Sequence, residues 1–215
     1  MTHHPSTSLI GLDFENRARD EGYAFVAGVD EVGRGCLAGP VVAGAVILDP
    51  NRPLPSGIND SKKITKSKLP AIAKEIRSMA VAYAFGQIEP DVIDRINILE
   101  ATKRAMILAI KALDPAPDHL LIDALQLREF PLPQKPIIKG DAVSASIAAA
   151  SIIAKVYRDE LMSRMDQRFP HYGFARHVGY GTKAHFDALR EHGPCEIHRM
   201  SFKGVGNPRL ITENC

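Results

Sequence analysis

Along this chain the apolar positions fall into two periods. Between Tyr23 and Asp30 apolar and small residues run into a polar corner, as a buried strand does. Pro40 to Leu48 (PVVAGAVIL) reads as a second strand, and Ala80 to Gln87 (AVAYAFGQ) alternates into a third. His119 to Asp123 (HLLID) is a short apolar strand ending on a carboxylate, and Pro136 to Lys139 is a candidate fifth. The short link between the first two strands predicts antiparallel neighbours.

Helical spacing takes over elsewhere. Thr65 precedes a run to about Met79 with Leu69, Ile72, Ile76 and Met79 on one face. Pro90 suits a first helical position, and Ile93, Ile96, Leu99, Met106, Ile110 and Leu113 follow at helical intervals. Asp141 to Met165 reads as one long Ala-rich helix and Thr182 to His192 as another. The order predicts an α/β fold: a mixed five-stranded sheet flanked by helices, with a small helical C-terminal portion. The expected division is an N-terminal extension over 1–22, a catalytic domain over 23–170, and a helical and loop portion over 171–215 packed on it.

Composition narrows the picture modestly. Apolar residues make up 45% and charged residues 24% of the 215, as in an ordinary globular protein, and the net charge is only +2. A basic run from Lys62 to Arg77, with Lys63, Lys66, Lys68 and Lys74, is either a solvated helix face or a polyanion contact. Cys36, Cys195 and Cys215 are widely spaced and predict neither a disulfide framework nor a thiolate zinc site, so a reducing cytoplasm is expected. Met1 to Ser8 lacks the build of a signal peptide, and no apolar run reaches the length of a bilayer span. A monomer without membrane attachment is the default expectation.

The chemistry concentrates at strand ends. Asp30 and Glu31 close an apolar strand, where two carboxylates are costly unless paired or metal-bound. Adjacent strand residues point to opposite faces, so the chain must turn or bulge to bring both to one site. Gly33 and Gly35 could supply that turn. Asp123 ends another strand and can lie beside Asp30. Asp141 stands at the expected start of the long helix, as a ligand, a cap or both. Four oxygen donors suit Mg²⁺ or Mn²⁺ better than zinc, and one or two such ions would relieve the repulsion among the acids. A two-ion site activates water for in-line phosphodiester displacement and needs no protein nucleophile. The five histidines from His171 to His198 show no standard zinc spacing. Gly33, Gly35 and Gly39 are followed by a β-rich run, whereas a dinucleotide-binding motif requires a helix there.

Ordered motifs extend this reading. GVDEVGRGCLAGPVVAGAVIL begins at Gly28, and NDSKK (59–63), LID (121–123), KGD (139–141), AAASIIAKVYRD (148–159), HVGYGT (177–182) and HRMSF (198–202) follow. Together they resemble the ribonuclease HII family over roughly residues 23–203. The resemblance implies a ribonuclease H-like fold and cleavage on the 5′ side of ribonucleotides in RNA–DNA hybrids. Single ribonucleotides embedded in duplex DNA are included, and the products are a 3′-hydroxyl and a 5′-phosphate. It implies that Asp30, Glu31, Asp123 and Asp141 are the catalytic, metal-binding acids. Gly33, Arg34 and Gly35 would recognise the ribose 2′-hydroxyl, and Tyr180 would stack on the neighbouring deoxyribose. Lys62 and Lys63 then look like phosphate contacts. Ser151 and Lys155 are either further contacts or part of a core helix with a snorkelling lysine. Asp159 lies 18 residues past Asp141, about 27 Å along an unbroken helix, so it is read as structural. Two departures from the family pattern stand out. Ala124 replaces the usual glycine, with a methyl expected to narrow the approach to the scissile phosphate, and Cys36 stands where proline is common.

Overall fold

The computed structural model describes residues 10–58 and 64–206. It opens on helix α1 (Asp13–Asp20), then strands β1 (Val26–Val32) and β2 (Val41–Leu48), helix α2 (Leu69–Met79) and strand β3 (Ala80–Ile88). Helices α3 (Pro90–Ile96) and α4 (Ile98–Lys111) lead to strands β4 (His119–Asp123) and β5 (Gln134–Ile137). A single 3₁₀ turn over Gly140–Ala142 precedes the long helix α5 (Ala145–Arg168), and α6 (Phe174–His177) and α7 (Lys183–His192) follow.

The sheet has five strands in the order β3-β2-β1-β4-β5. β1, β2 and β3 pair antiparallel as a meander, whereas β4 and β5 join β1 in parallel. β2 is buried along its whole length and β1 at its first five positions, which is why both read as apolar runs without polar alternation. α4 covers one face through Ala101, Ala105, Met106 and Ala109, packed on Ala27, Val29, Ala43 and Ile122. α5 and α2 cover the other. α5 lies directly on the sheet backbone. A Cβ at Gly28 would sit 2.1 Å from the Ser146 carbonyl carbon, and one at Gly44 would sit 2.6 Å from the Ala150 oxygen. The two glycines, with the alanines of the helix, set that close approach.

Several boundaries differ from the sequence expectation, each for a local reason. β1 starts at Val26 rather than Tyr23, because the Ala24 and Phe25 amides donate to the Asp118 carboxylate at 2.8 and 2.9 Å instead of entering the ladder. The expected helix from Pro90 to Leu113 breaks at Asn97 (φ 68°), whose side chain accepts from the Leu99 and Glu100 amides and caps α4. β5 lies two residues earlier than expected, since Lys139 is left-handed and turns the chain away. The long helix begins at Ala145, not Asp141: Ser144 is its cap. α1 lies within the expected N-terminal extension and has no counterpart in the sequence reading. Its Glu15 is fully buried and accepts from the hydroxyls of Ser144 and Ser146, each at 2.6 Å, and from the Ser146 amide at 2.9 Å. No helix among the described residues is long and apolar enough to cross a membrane.

Candidate active site

The parallel pairing of β1 with β4 places the acids. Val29 is level with Ile122, so the next step along each strand brings Asp30 level with Asp123 at the carboxyl edge of the sheet. Alternation puts Asp30 on the α5 face with Gly28, and Glu31 on the opposite face. The ladder to β2 continues through both acids, Asp30 facing Gly44 and Glu31 facing Ala43, so no bulge brings them together. Instead the strand ends two residues beyond Asp30, and both acids reach the same open cleft of about 290 Å³. Its walls are Asp30, Glu31, Val32, Gly33, Arg34, Gly35, Asp123, Ser151, Lys155 and Tyr180.

Each carboxylate is held by a different donor. Asp30 Oδ1 accepts from the Glu31 amide at 2.8 Å, Glu31 Oε1 from Arg34 Nη1 at 3.1 Å, and Asp123 Oδ1 from the Gly140 amide at 2.7 Å. Among the described residues no three acidic, histidine or cysteine side chains converge into a preformed cation cage. The electrostatics nonetheless favour a cation. Burial, then the charges of Glu31 and Asp123, hold the Asp30 carboxyl well above the usual carboxylate range, against a Ser151 hydrogen bond. Burial also raises Glu31, with Arg34 opposing. Glu31 Oε2 is buried without a hydrogen-bond partner. Crowded carboxylates and an orphaned buried oxygen fit a hard divalent ion.

The loop after β1 is shaped by two buried arginines that the sequence reading did not single out. Gly33 takes φ +90°, and a Cβ there would lie 2.2 Å from Arg158 Nε, so glycine is required on both counts. Gly35 is ordinary in backbone, with open space where a Cβ would sit. Arg158 donates from Nε to the Pro40 carbonyl, from Nη1 to that of Val178 and from Nη2 to that of Ala38, at 2.8–3.0 Å. Arg199 donates to the Gly39 and Arg34 carbonyls at 3.0 and 2.9 Å. Both side chains are fully buried. An arginine within a run of alanine, isoleucine and valine is the one signal that could have drawn attention to Arg158. Tyr180 follows a left-handed pair, Val178 and Gly179, and stands 44% exposed at the rim.

The remaining expected residues distribute unevenly. Ser151 is buried and Lys155 half-buried on the face of α5 toward the cleft, and Lys155 Nζ holds both oxygens of Asp159 at 2.7 and 2.6 Å. Asp141 is buried in the turn before α5, next to the Gly140 amide that holds Asp123, and is not among the cleft-lining residues. Lys62 and Lys63 lie outside the described residues. Ala124 does not line the cleft. It is exposed at φ +50°, so its departure from glycine is a matter of backbone conformation rather than access. Cys36 is fully buried, and burial pushes its thiol up.

Residues 27–205 match the sequence model of the family described as Ribonuclease HII. The chain belongs to the ribonuclease HII family. Ribonuclease HII of Ruminiclostridium cellulolyticum is 52% identical over 191 residues, covering 89% of this chain and 74% of that protein. Among solved structures, the ribonuclease H2 of Pyrococcus horikoshii superposes with a TM-score of 0.72 at 24% identity, over 85% of this chain and 96% of that one. The structure of Bst-RNase HIII in complex with Mn²⁺ superposes with a TM-score of 0.63 at 24% identity, over 88% and 70% respectively. Membership in the ribonuclease HII family makes the protein a ribonuclease H-type hydrolase, and the likeness to the two structures establishes its ribonuclease H-like fold.

Proposed function

We propose that the chain is a divalent-metal endoribonuclease. It hydrolyses the phosphodiester on the 5′ side of ribonucleotides in RNA–DNA hybrids and of single ribonucleotides embedded in duplex DNA. The observation that carries this reading is the shared cleft, where Asp30, Glu31 and Asp123 face the Gly33–Gly35 loop and Tyr180.

Asp30, Glu31 and Asp123 would hold Mg²⁺ or Mn²⁺, with Asp141 entering from the adjacent turn. A neighbour of the same fold is described in complex with Mn²⁺. The ion supplies an activated water and charge compensation at the leaving oxygen, giving 3′-hydroxyl and 5′-phosphate ends. The protein's own groups do the positioning. Glycine at 33 lets the loop pack onto Arg158. At Gly35, where a Cβ would stand in open space, no side chain keeps a sugar at a distance, so the loop can reach a 2′-hydroxyl, the group that separates RNA from DNA. Arg34 is poised between Glu31 and solvent, its side chain 42% exposed. The exposed Tyr180 ring offers a flat face to the adjoining deoxyribose. Lys155, now on Asp159, can turn to a phosphate, and Lys62 and Lys63 would add sequence-independent contacts. The role that follows is removal of ribonucleotides from DNA.

The test is a labelled DNA duplex carrying one ribonucleotide, incubated with Mg²⁺, with Mn²⁺ and with chelator. A metal-dependent nick 5′ of the ribonucleotide is expected. Cleavage of a long RNA–DNA hybrid alone would reject the roles given to Arg34 and Tyr180, and no cleavage of either substrate would reject the reading outright.

A further inference from the structure

Two of the C-terminal histidines, His198 and His185, form a chain behind Tyr180, and hydrogen-bond polarity fixes the direction of its bonds. The Cys195 amide lies 2.9 Å from His198 Nδ1. An amide nitrogen only donates, so Nδ1 is the bare nitrogen and the His198 proton sits on Nε2. The Cys195 carbonyl, 3.3 Å from the same Nδ1, is then the lesser contact. His198 Nε2 lies 3.0 Å from His185 Nε2, so it donates and His185 Nε2 accepts. The His185 proton is thereby placed on Nδ1, which lies 2.9 Å from the Tyr180 carbonyl, a group that only accepts. Starting from either end gives the same tautomers.

The surroundings keep this chain in place. His185 is fully buried and His198 2% exposed. His177 stacks on His185 with centroids 4.5 Å apart and the rings 14° from parallel, and Phe174 meets His185 edge-on at 5.5 Å. Burial lowers both His185 and His198 to about 4, so both are neutral near pH 7, as the donor-to-acceptor order requires. Tyr180 is also held elsewhere in its backbone: its amide donates to the His177 carbonyl at 2.9 Å, and its carbonyl also accepts from the Thr182 amide at 2.8 Å. Tyr180 itself stands 44% exposed at the cleft.

We infer that His185 and His198 are positioning residues for Tyr180, fixing its backbone from behind so that the ring is presented to a nucleic-acid sugar without further ordering. The inference rests on the reading of Tyr180 as the residue that meets the DNA side of the junction. It extends that role to side chains that touch no substrate.

Two measurements test it. In the unsubstituted protein at pH 7, two-bond ¹H–¹⁵N correlation of ¹⁵N-histidine should show His185 protonated on Nδ1 and His198 on Nε2. His185 protonated on Nε2 would overturn the inference. The second compares His185→Gln with His185→Asn on a single-ribonucleotide duplex and on a long hybrid. An asparagine amide can occupy the Nδ1 position and donate to Tyr180, whereas a glutamine amide reaches only the Nε2 position. His185→Gln should lower kcat/KM on the single-ribonucleotide duplex roughly tenfold more than on the hybrid, and His185→Asn should recover most of that difference. Equal losses on both substrates, tracking a lower Tm, would make the histidines merely structural. Tyr180→Ala separates the two levels. If it leaves the substrate ratio unchanged, the reading of Tyr180 fails; if it shifts the ratio and His185→Gln does not, only the present inference fails.

Discussion

The two sides of the cleft are built on opposite principles. On the sheet side, Asp30, Glu31 and Asp123 crowd together, and Glu31 Oε2 is left buried without a partner. On the Tyr180 side, each of the nitrogens of His185 and His198 has a partner at 2.9–3.0 Å, and the polarity of the whole chain is consistent. Burial pushes both regions toward neutrality, raising Asp30 and Glu31 and lowering His185 and His198. A bound cation, as proposed, would oppose that pressure at the acids, whereas the histidines comply with it. On the proposed reading the groups assigned to the reaction are left dissatisfied and the ring assigned to recognition is held by satisfied partners, since recognition by a flat ring requires rigidity rather than reactivity.

The contrast can be broken at several points. Asp30→Asn carries the largest expected effect. Cleavage should fall by roughly a hundredfold to a thousandfold with duplex binding largely kept, and the Tm gain on adding Mn²⁺ should shrink. Equal loss of binding and cleavage in a gel-shift and nicking assay would make Asp30 a fold residue instead. Gly33→Ala attacks the wall between the regions. With φ +90° and Arg158 2.2 Å away, it should cost about 2–3 kcal/mol of unfolding free energy in urea titration.

Acid should act on the histidine side. The folded-state values of His185 and His198, about 4, lie below the unfolded 6.5, so the unfolded chain takes up protons first. Their contribution to stability is full above pH 6.5 and is lost as pH falls toward 4. The measured slope of stability over that window should flatten in His185→Gln. The smallest effect belongs to Ala124→Gly, which relieves a left-handed alanine and should stabilise by about 1 kcal/mol with little change in turnover. A large gain in rate would mean that the methyl obstructs the substrate after all.

What the sequence disclosed, and what it withheld, follows the same division. Strands ending on carboxylates were legible because burial writes a continuous apolar run and an acid at its end violates it. Asp30 and Asp123 could therefore be matched before their register was known. The histidine chain was not legible, because the partners of His185 and His198 are chosen by the fold and their spacing carries no periodic signal. α1 escaped for a different reason. The residues it buries are Glu15 and Ala18, so no apolar stripe announces it. Asn97 was missed because Ile93, Ile96 and Leu99 continue at helical intervals across it, although Leu99 is exposed in α4, and periodicity alone does not see a cap between them.

Glu15 has a consequence for where this protein begins as a folding unit. The match to the family starts at residue 27, yet the start of α5 is secured from residue 15. That helix carries Ser151 and Lys155 along the cleft and Arg158 against the loop that walls it. A chain trimmed to residues 27–205 would keep every side chain assigned to the reaction. It would also leave two buried hydroxyls and a buried amide at the head of α5 without the oxygen that now receives them. The stretch matched by the family model and the stretch that secures α5 thus differ here by about one short helix.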